Sequence, residues 1–214
     1  ESPSPFVDED TRKRLLDAAA KAVRACGLTT LSTVECLLLE DRKTFYFMEI
    51  NKRVQVEHPV TEELLGLDLI QTQIALAFGE RNLIKSPSPG ARHAIEVRVN
   101  VEDPDQNFMP GEGVISRLAW PAGPGVRVDT FLALYLNFGA SYDSLGAKII
   151  AVSPFGRQGA IAKMKQALSE LVIEGVPTTA GFHRMLLKDP VFADGKTWFS
   201  ANFLDTWTQN KRFN

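Results

Sequence analysis

Two apolar runs, 31–40 and 44–51, are separated by only three polar residues, Asp41, Arg42 and Lys43. So short a link leaves one way for them to pair, because parallel strands need a crossover of a dozen residues or more. The pair is therefore an antiparallel hairpin, and everything else in the first third of the chain must pack around it. Ahead of it, residues 8–26 carry a helical pattern. Acidic residues crowd the first turn, Leu15, Ala19, Ala22 and Cys26 fall on one face, and Gly27 follows as a stop. Behind it, a polar segment over 52–63 leads to a second helix at 68–78, where Asp68 and Gln71 have the spacing of an N-terminal cap.

The proline- and glycine-rich stretch 85–90 marks a change of character and a domain boundary. Beyond it, 94–101, 113–120, 125–130 and 147–152 read as strands between Pro/Gly turns. A helix over 158–171 sets Ile161, Met164 (or Lys165) and Leu168 on one face. A short strand at 172–175 and a helical stretch from about 178 follow. The mixture of helix and locally paired strand is α+β, in two domains spanning 1–85 and 91–208.

The formal net charge of −2 excludes a non-specific nucleic-acid binder, since no basic excess is present to neutralise phosphates. No apolar run approaches the roughly 20 residues of a membrane span, and no signal-peptide pattern opens the chain. Cys26 and Cys36 have no metal-site spacing and read as small buried apolar residues, which fits a reducing, cytoplasmic-type compartment.

The densest polar cluster, Glu49 to His58, follows directly on the aromatic-rich strand segment Phe45–Met48. Glu35 lies on the other arm of the hairpin and Asn51 two residues beyond Glu49, so all three can share one sheet face. Two carboxylates and an amide oxygen suit Mg²⁺, which keeps its other positions for phosphate and water. Alternatively, Glu35 pairs with a basic residue and Glu49 is a solvated strand end. Arg53, Gln55 and Glu57 alternate, and in extended chain they point one way. Such a trio can hold a small oxyanion and take its proton, or it is a charged surface loop. His58 reads as a local hydrogen-bond partner. Arg98, inside an apolar strand run, either pairs with Glu96 or serves a site. There is no Walker A loop, nucleophile elbow or Cys–His dyad.

Residues 47–62, FMEINKRVQVEHPVTE, resemble the signature of the biotin carboxylase family of ATP-grasp ligases. The likeness continues through 66–79 (GLDLIQTQIALAFG), 93–104 (HAIEVRVNVEDP), Tyr142-Asp143-Ser144 and the helix that precedes IEGVPT at 173–178. By that resemblance the chain is the second half of such an enzyme: the end of the ATP-grasp catalytic domain followed by the family's C-terminal domain. Glu35, Glu49 and Asn51 are then similar to the ligands of Mg²⁺ (or Mn²⁺) and ATP, and Leu37 to an adenine contact. Arg53, Gln55 and the backbone of Val56 are similar to a bicarbonate cradle, Glu57 to its base, and Arg98 to the group that stabilises carboxyphosphate and the biotin enolate.

The resemblance further implies ATP-dependent carboxylation of biotin on a carrier domain, with a carboxyltransferase component, the N-terminal half of the carboxylase and a second copy of the chain as partners. The compartment would be the cytoplasm, or a mitochondrial or plastid matrix in a eukaryote. A non-catalytic or split-subunit homologue is the alternative. Lys52 stands where the family often has a small residue or proline, Pro124 where some bacterial members place an aromatic at the dimer contact, and no Met-Lys biotinylation motif is present. The final acyl acceptor is not encoded in this part of the enzyme.

Overall fold

The computed structural model describes residues 1–81, 83, 90–139, 141–197, 200, 202–209 and 211–213. Its helices and antiparallel sheets form two compact units, Ser2–Gly90 and Ala91–Asn214, the latter including Glu1. The proline-rich boundary stretch lies, apart from Gly90, outside the described residues.

In the Ser2–Gly90 unit, α1 (Glu9–Ala25) begins where Asp8 Oδ1 accepts from Thr11 N at 2.8 Å and ends at Cys26, before Gly27 in the left-handed region. β1 (Thr33–Leu38) and β2 (Phe45–Asn51) pair antiparallel, as the short link demands. Asp41 closes the turn: its Oδ1 accepts from Lys43 N and Thr44 N at 2.9 and 2.8 Å. Those bonds stabilise the ionised carboxyl and, with the Thr44 hydroxyl first among them, hold its pKa down to about 2.

The segment 52–63 does not remain irregular. From His58 it coils into α2 (His58–Leu65), with Pro59 in its first turn, Val60 and Leu64 buried one turn apart, and Gly66 at φ 68° ending it. In α3 (Leu69–Ala77), Asp68 accepts from Gln71 N at 2.7 Å, as the spacing predicts. Glu62, 6% exposed, reaches across to accept from Leu69 N at 2.7 Å. Apolar side chains remain outside: Leu16, Tyr46, Phe47, Met48, Ile74 and Phe78 are all exposed. The cysteines are not core residues either. Cys26 caps α1, a helix that buries only Thr11, and is exposed; Cys36, on β1, is half-buried.

The Ala91–Asn214 unit is organised by β3 (His93–Asn100), which leads into β4 (Glu102–Asp103), a 3-10 turn, β5 (Met109–Pro110), β6 (Gly113–Val114) and β7 (Arg117–Ala119). Then come β8 (Val126–Thr130), β9 (Asn137–Phe138), β10 (Leu145–Ser153), α4 (Gly156–Glu170), β11 (Val172–Glu174), α5 (Ala180–Leu186), α6 (Pro190–Asp194) and α7 (Phe203–Trp207). The main sheet has the order β3-β10-β8, all antiparallel. α4 lies across it, and Ile161, Met164 and Leu168 pack with Ile95, Val97, Val99 and Ile149. It is Met164, not Lys165, that completes the buried stripe.

The run 113–120 is not one strand. β6 pairs with β9 and β7 with β11, and between them Ile115 turns fully inward. Gly175, at φ 101°, makes room for the turn; a Cβ there would collide with Val114 O.

Candidate functional site

The acidic face of the hairpin is set by a bulge. Glu35 stands opposite Glu49, but Cys36 stands opposite Phe47, so Met48 is extra. The irregularity keeps both glutamates on one face and brings Tyr46, rather than Phe47, opposite Leu37. Asn51 binds the two carboxylates together: its Nδ2 donates to Glu35 Oε1 at 2.9 Å and to Glu49 Oε1 at 2.8 Å. Gln55 Nε2 also donates to Glu35 Oε1, at 2.7 Å. The amides occupy the space between the acids with their nitrogens. For the Asn51 oxygen to join a cation, the amide must turn over and give up both bonds, a loss that the cation's attraction to the two carboxylates would offset.

The structure corrects the extended reading of 53–57. The chain turns at Val56, and Glu57 sits at the N-cap of α2 with φ −82° and ψ 7°, outside the extended region. Strand alternation therefore does not align Arg53, Gln55 and Glu57. They meet instead along one groove of about 600 Å³, whose wall also includes Val54, His58 and the Leu16–Val23 side of α1. Arg53 and Glu57 are exposed there, and Val56 is half-buried. The Glu57 carboxylate at a helix N-terminus lies in a favourable field. His58 is the local partner expected, its Nδ1 2.7 Å from Gln55 O.

Arg98 belongs to the other unit. On β3 its neighbours Val97 and Val99 are buried while Arg98 is exposed, so the strand presents it outward rather than into the core. It lines a second cavity of about 480 Å³ with Asn100, Glu102, Phe108, Thr179 and His183. No sequence signal points to Thr179 or His183, yet both bond the Arg98 carbonyl, at 3.0 and 2.8 Å. Burial pushes the His183 imidazole below its ordinary pKa, against the opposing effect of that carbonyl. No group of three or more His, Cys, Asp or Glu side chains gathers among the described residues. Among the described residues, the Glu35–Glu49 pair and its amides are the groups that could offer oxygen ligands to a cation.

The family model for the biotin carboxylase C-terminal domain matches residues 96–206, more than half of the chain. The chain belongs to the biotin carboxylase family. The model for the carbamoyl-phosphate synthase L chain ATP-binding domain matches residues 1–84. Biotin carboxylase 1 of Bacillus subtilis is 45% identical over 97% of this chain and 46% of its own length. The solved biotin carboxylase of Campylobacter jejuni superposes with a TM-score of 0.89 at 37% identity, over 96% of this chain and 45% of that one. The biotin carboxylase domain dimer of Hydrogenobacter thermophilus 2-oxoglutarate carboxylase, solved with ADP, its magnesium salt and bicarbonate, gives a TM-score of 0.90 at 35% identity, with 96% and 45% covered. This chain thus spans about half the length of the relatives it matches. No described helix is long and apolar enough to cross a membrane.

Proposed function

We propose that this chain supplies the metal- and bicarbonate-facing half of a biotin carboxylase, an ATP-dependent ligase that carboxylates biotin on a carrier domain. The observation that carries the reading is a hydrogen-bonded set in which Asn51 joins Glu35 to Glu49 and Gln55 donates to Glu35. It joins a two-carboxylate face to the loop that leads to Arg53 and Glu57. Hard oxygen donors in that number fit Mg²⁺ or Mn²⁺ carried with nucleotide phosphates, and when bound such a cation offsets phosphate charge. Leu37, exposed and opposite Tyr46 on the same face, offers an apolar surface to the adenine.

In this reading Arg53, Gln55 and the Val56 backbone hold bicarbonate, and the Arg53 fork matches two of its oxygens. Glu57 takes the bicarbonate proton, so that the freed oxygen attacks the γ-phosphorus of ATP, giving carboxyphosphate and ADP. Carboxyphosphate breaks down to carbon dioxide and phosphate. Phosphate takes the ureido N–H proton of biotin, and the nitrogen attacks carbon dioxide. Arg98 stabilises the negative oxygen that develops on the ureido carbonyl.

The apolar side chains left outside on α1, β2 and α3 support a partner surface for the N-terminal half of the enzyme. A biotin carboxyl carrier domain, a carboxyltransferase component and a second copy complete the assembly, in the cytoplasm or an organelle matrix. The test is a complete enzyme containing this chain, with phosphate release and carboxybiotin measured separately. Glu57→Gln abolishes bicarbonate-dependent phosphate release, because the amide keeps the shape and cannot take a proton. Arg98→Gln lowers carboxybiotin by about 10²–10³ and phosphate release far less. Equal, mild losses in both assays that track melting temperature refute these roles.

A further inference from the structure

Among the described residues β3 is an outer strand of its sheet, paired with β10 on one side only. On its other side Arg98 O, Asn100 N and Asn100 O face no neighbouring strand, and backbone groups in that position must find partners elsewhere. The start of α5 supplies them. Thr179 Oγ1 donates to Arg98 O and accepts from Asn100 N, both at 3.0 Å, and Thr179 N donates to Asn100 O at 3.0 Å. One turn on, His183 Nε2 donates to Arg98 O at 2.8 Å, so that the carbonyl takes two donors. Thr179 is 4% exposed, and the His183 ring packs edge-on against the buried Phe182 at 5.1 Å. A carbonyl oxygen can only accept, so Nε2 carries the proton of this bond, and burial disfavours the charged imidazolium.

We infer that Thr179 and His183 are positioning residues that fix the backbone root of Arg98 and so set where its guanidinium points. This deepens the reading above and rests on the role given there to Arg98. The geometry makes the root decisive. The guanidinium hangs at the end of roughly 7 Å of side chain. A tilt of about 10° at Cα therefore moves it by about 1 Å, roughly twice the tolerance of a productive site. An error of that size costs up to about 10²-fold. The bonds from Thr179 and His183 restrain the strand backbone on the side that β10 does not reach.

The experiment uses the complete enzyme and reads carboxybiotin formed per phosphate released, with kcat for phosphate release and melting temperature alongside. His183→Leu and Thr179→Val remove the donors and should each lower the ratio by about 10- to 100-fold. His183→Gln, whose amide nitrogen reaches the place of Nε2, and Thr179→Ser, which keeps the hydroxyl, should restore most of it. A merely structural role lowers both products together, in proportion to folded enzyme, and leaves the ratio unchanged. Should His183→Leu fail to fold, His183→Asn, polar but too short to reach the carbonyl, reads the same quantity. An unchanged ratio in the donor-free variants while Arg98→Gln lowers it overturns the positioning role alone. An unchanged ratio in Arg98→Gln overturns the role of Arg98 itself.

Discussion

Replacing Glu49 by glutamine separates charge from shape on the acidic face of the hairpin. Glu35 and Glu49 face each other across the β1–β2 register, and their Oε1 atoms share the single donor Asn51 Nδ2. Like charges roughly 5 Å apart repel by about 0.8 kcal/mol in water, and by more where solvent is partly excluded. The amide oxygen introduced by Glu49→Gln still accepts from Asn51, so no hydrogen bond is lost. The substitution should therefore leave the free chain as stable as before or more stable by about 1 kcal/mol. That gain corresponds to a rise of about 5 °C in the melting of the Ser2–Gly90 unit. Calorimetry should show the gain at about 10 mM salt and lose most of it at about 1 M, where the screening length falls from roughly 30 Å to 3 Å. Divalent cation reverses the order. At tenfold excess over its dissociation constant, Mg²⁺ or Mn²⁺ stabilises the wild-type chain by about 1.4 kcal/mol and the variant by much less. A destabilisation above about 1 kcal/mol, or equal cation shifts in both proteins, would mean that the carboxylates are a structural pair.

Met164, fully buried beneath the main sheet, should cost about 2–5 kcal/mol on replacement by alanine; a loss below about 1 kcal/mol in urea unfolding contradicts the packing described. His183 makes the Ala91–Asn214 unit acid-sensitive. Its folded pKa lies below the ordinary 6.5, so the unfolded state binds the proton more readily. The contribution is complete above 6.5 and is lost as pH falls through the folded value, and His183→Gln should flatten the stability profile in that window. The 214-residue chain by itself should release no phosphate in response to bicarbonate, since it has no glycine-rich phosphate loop; steady turnover by the purified chain would refute this.

The hairpin, the cap of α3 and the stripe of α4 are legible in the sequence because each rests on local chemistry: a link too short for any other pairing, an Asp three residues before the amide it caps, an apolar period of 3.6. The short link also brings the strands of Glu35 and Glu49 together, but their direct opposition depends on the bulge. The bulge is not legible, because Met48 looks like any apolar strand residue and its extra place appears only in the pairing with Cys36. α2 escapes a sequence reading because a dense polar run outweighs its quieter signals, namely Pro59 in the first turn, Val60 and Leu64 one turn apart and Gly66 beyond. The turn into that helix is also why Arg53, Gln55 and Glu57 share a groove without strand alternation, with Gln55 bonded to Glu35 as well. The break at Ile115 depends on Gly175, 60 residues away, and Thr179 and His183 act on a strand some 80 residues earlier. Long-range contacts of this kind leave no periodicity to read.

The cover that α5 lays on β3 also bears on solubility. A strand carrying Ile95, Val97 and Val99 with an open row of amides and carbonyls is a template for another copy of itself. Thr179 and His183 occupy that row where it would otherwise face outward, beside Arg98 and Asn100. The helix thus keeps the sheet from growing, chain by chain, into an aggregate. Ala180 and Leu187 anchor that helix in the core and Arg184 bonds Leu168 O and Leu171 O, so only loss of the helix itself, not of one bond, would lay the edge of β3 open to another copy.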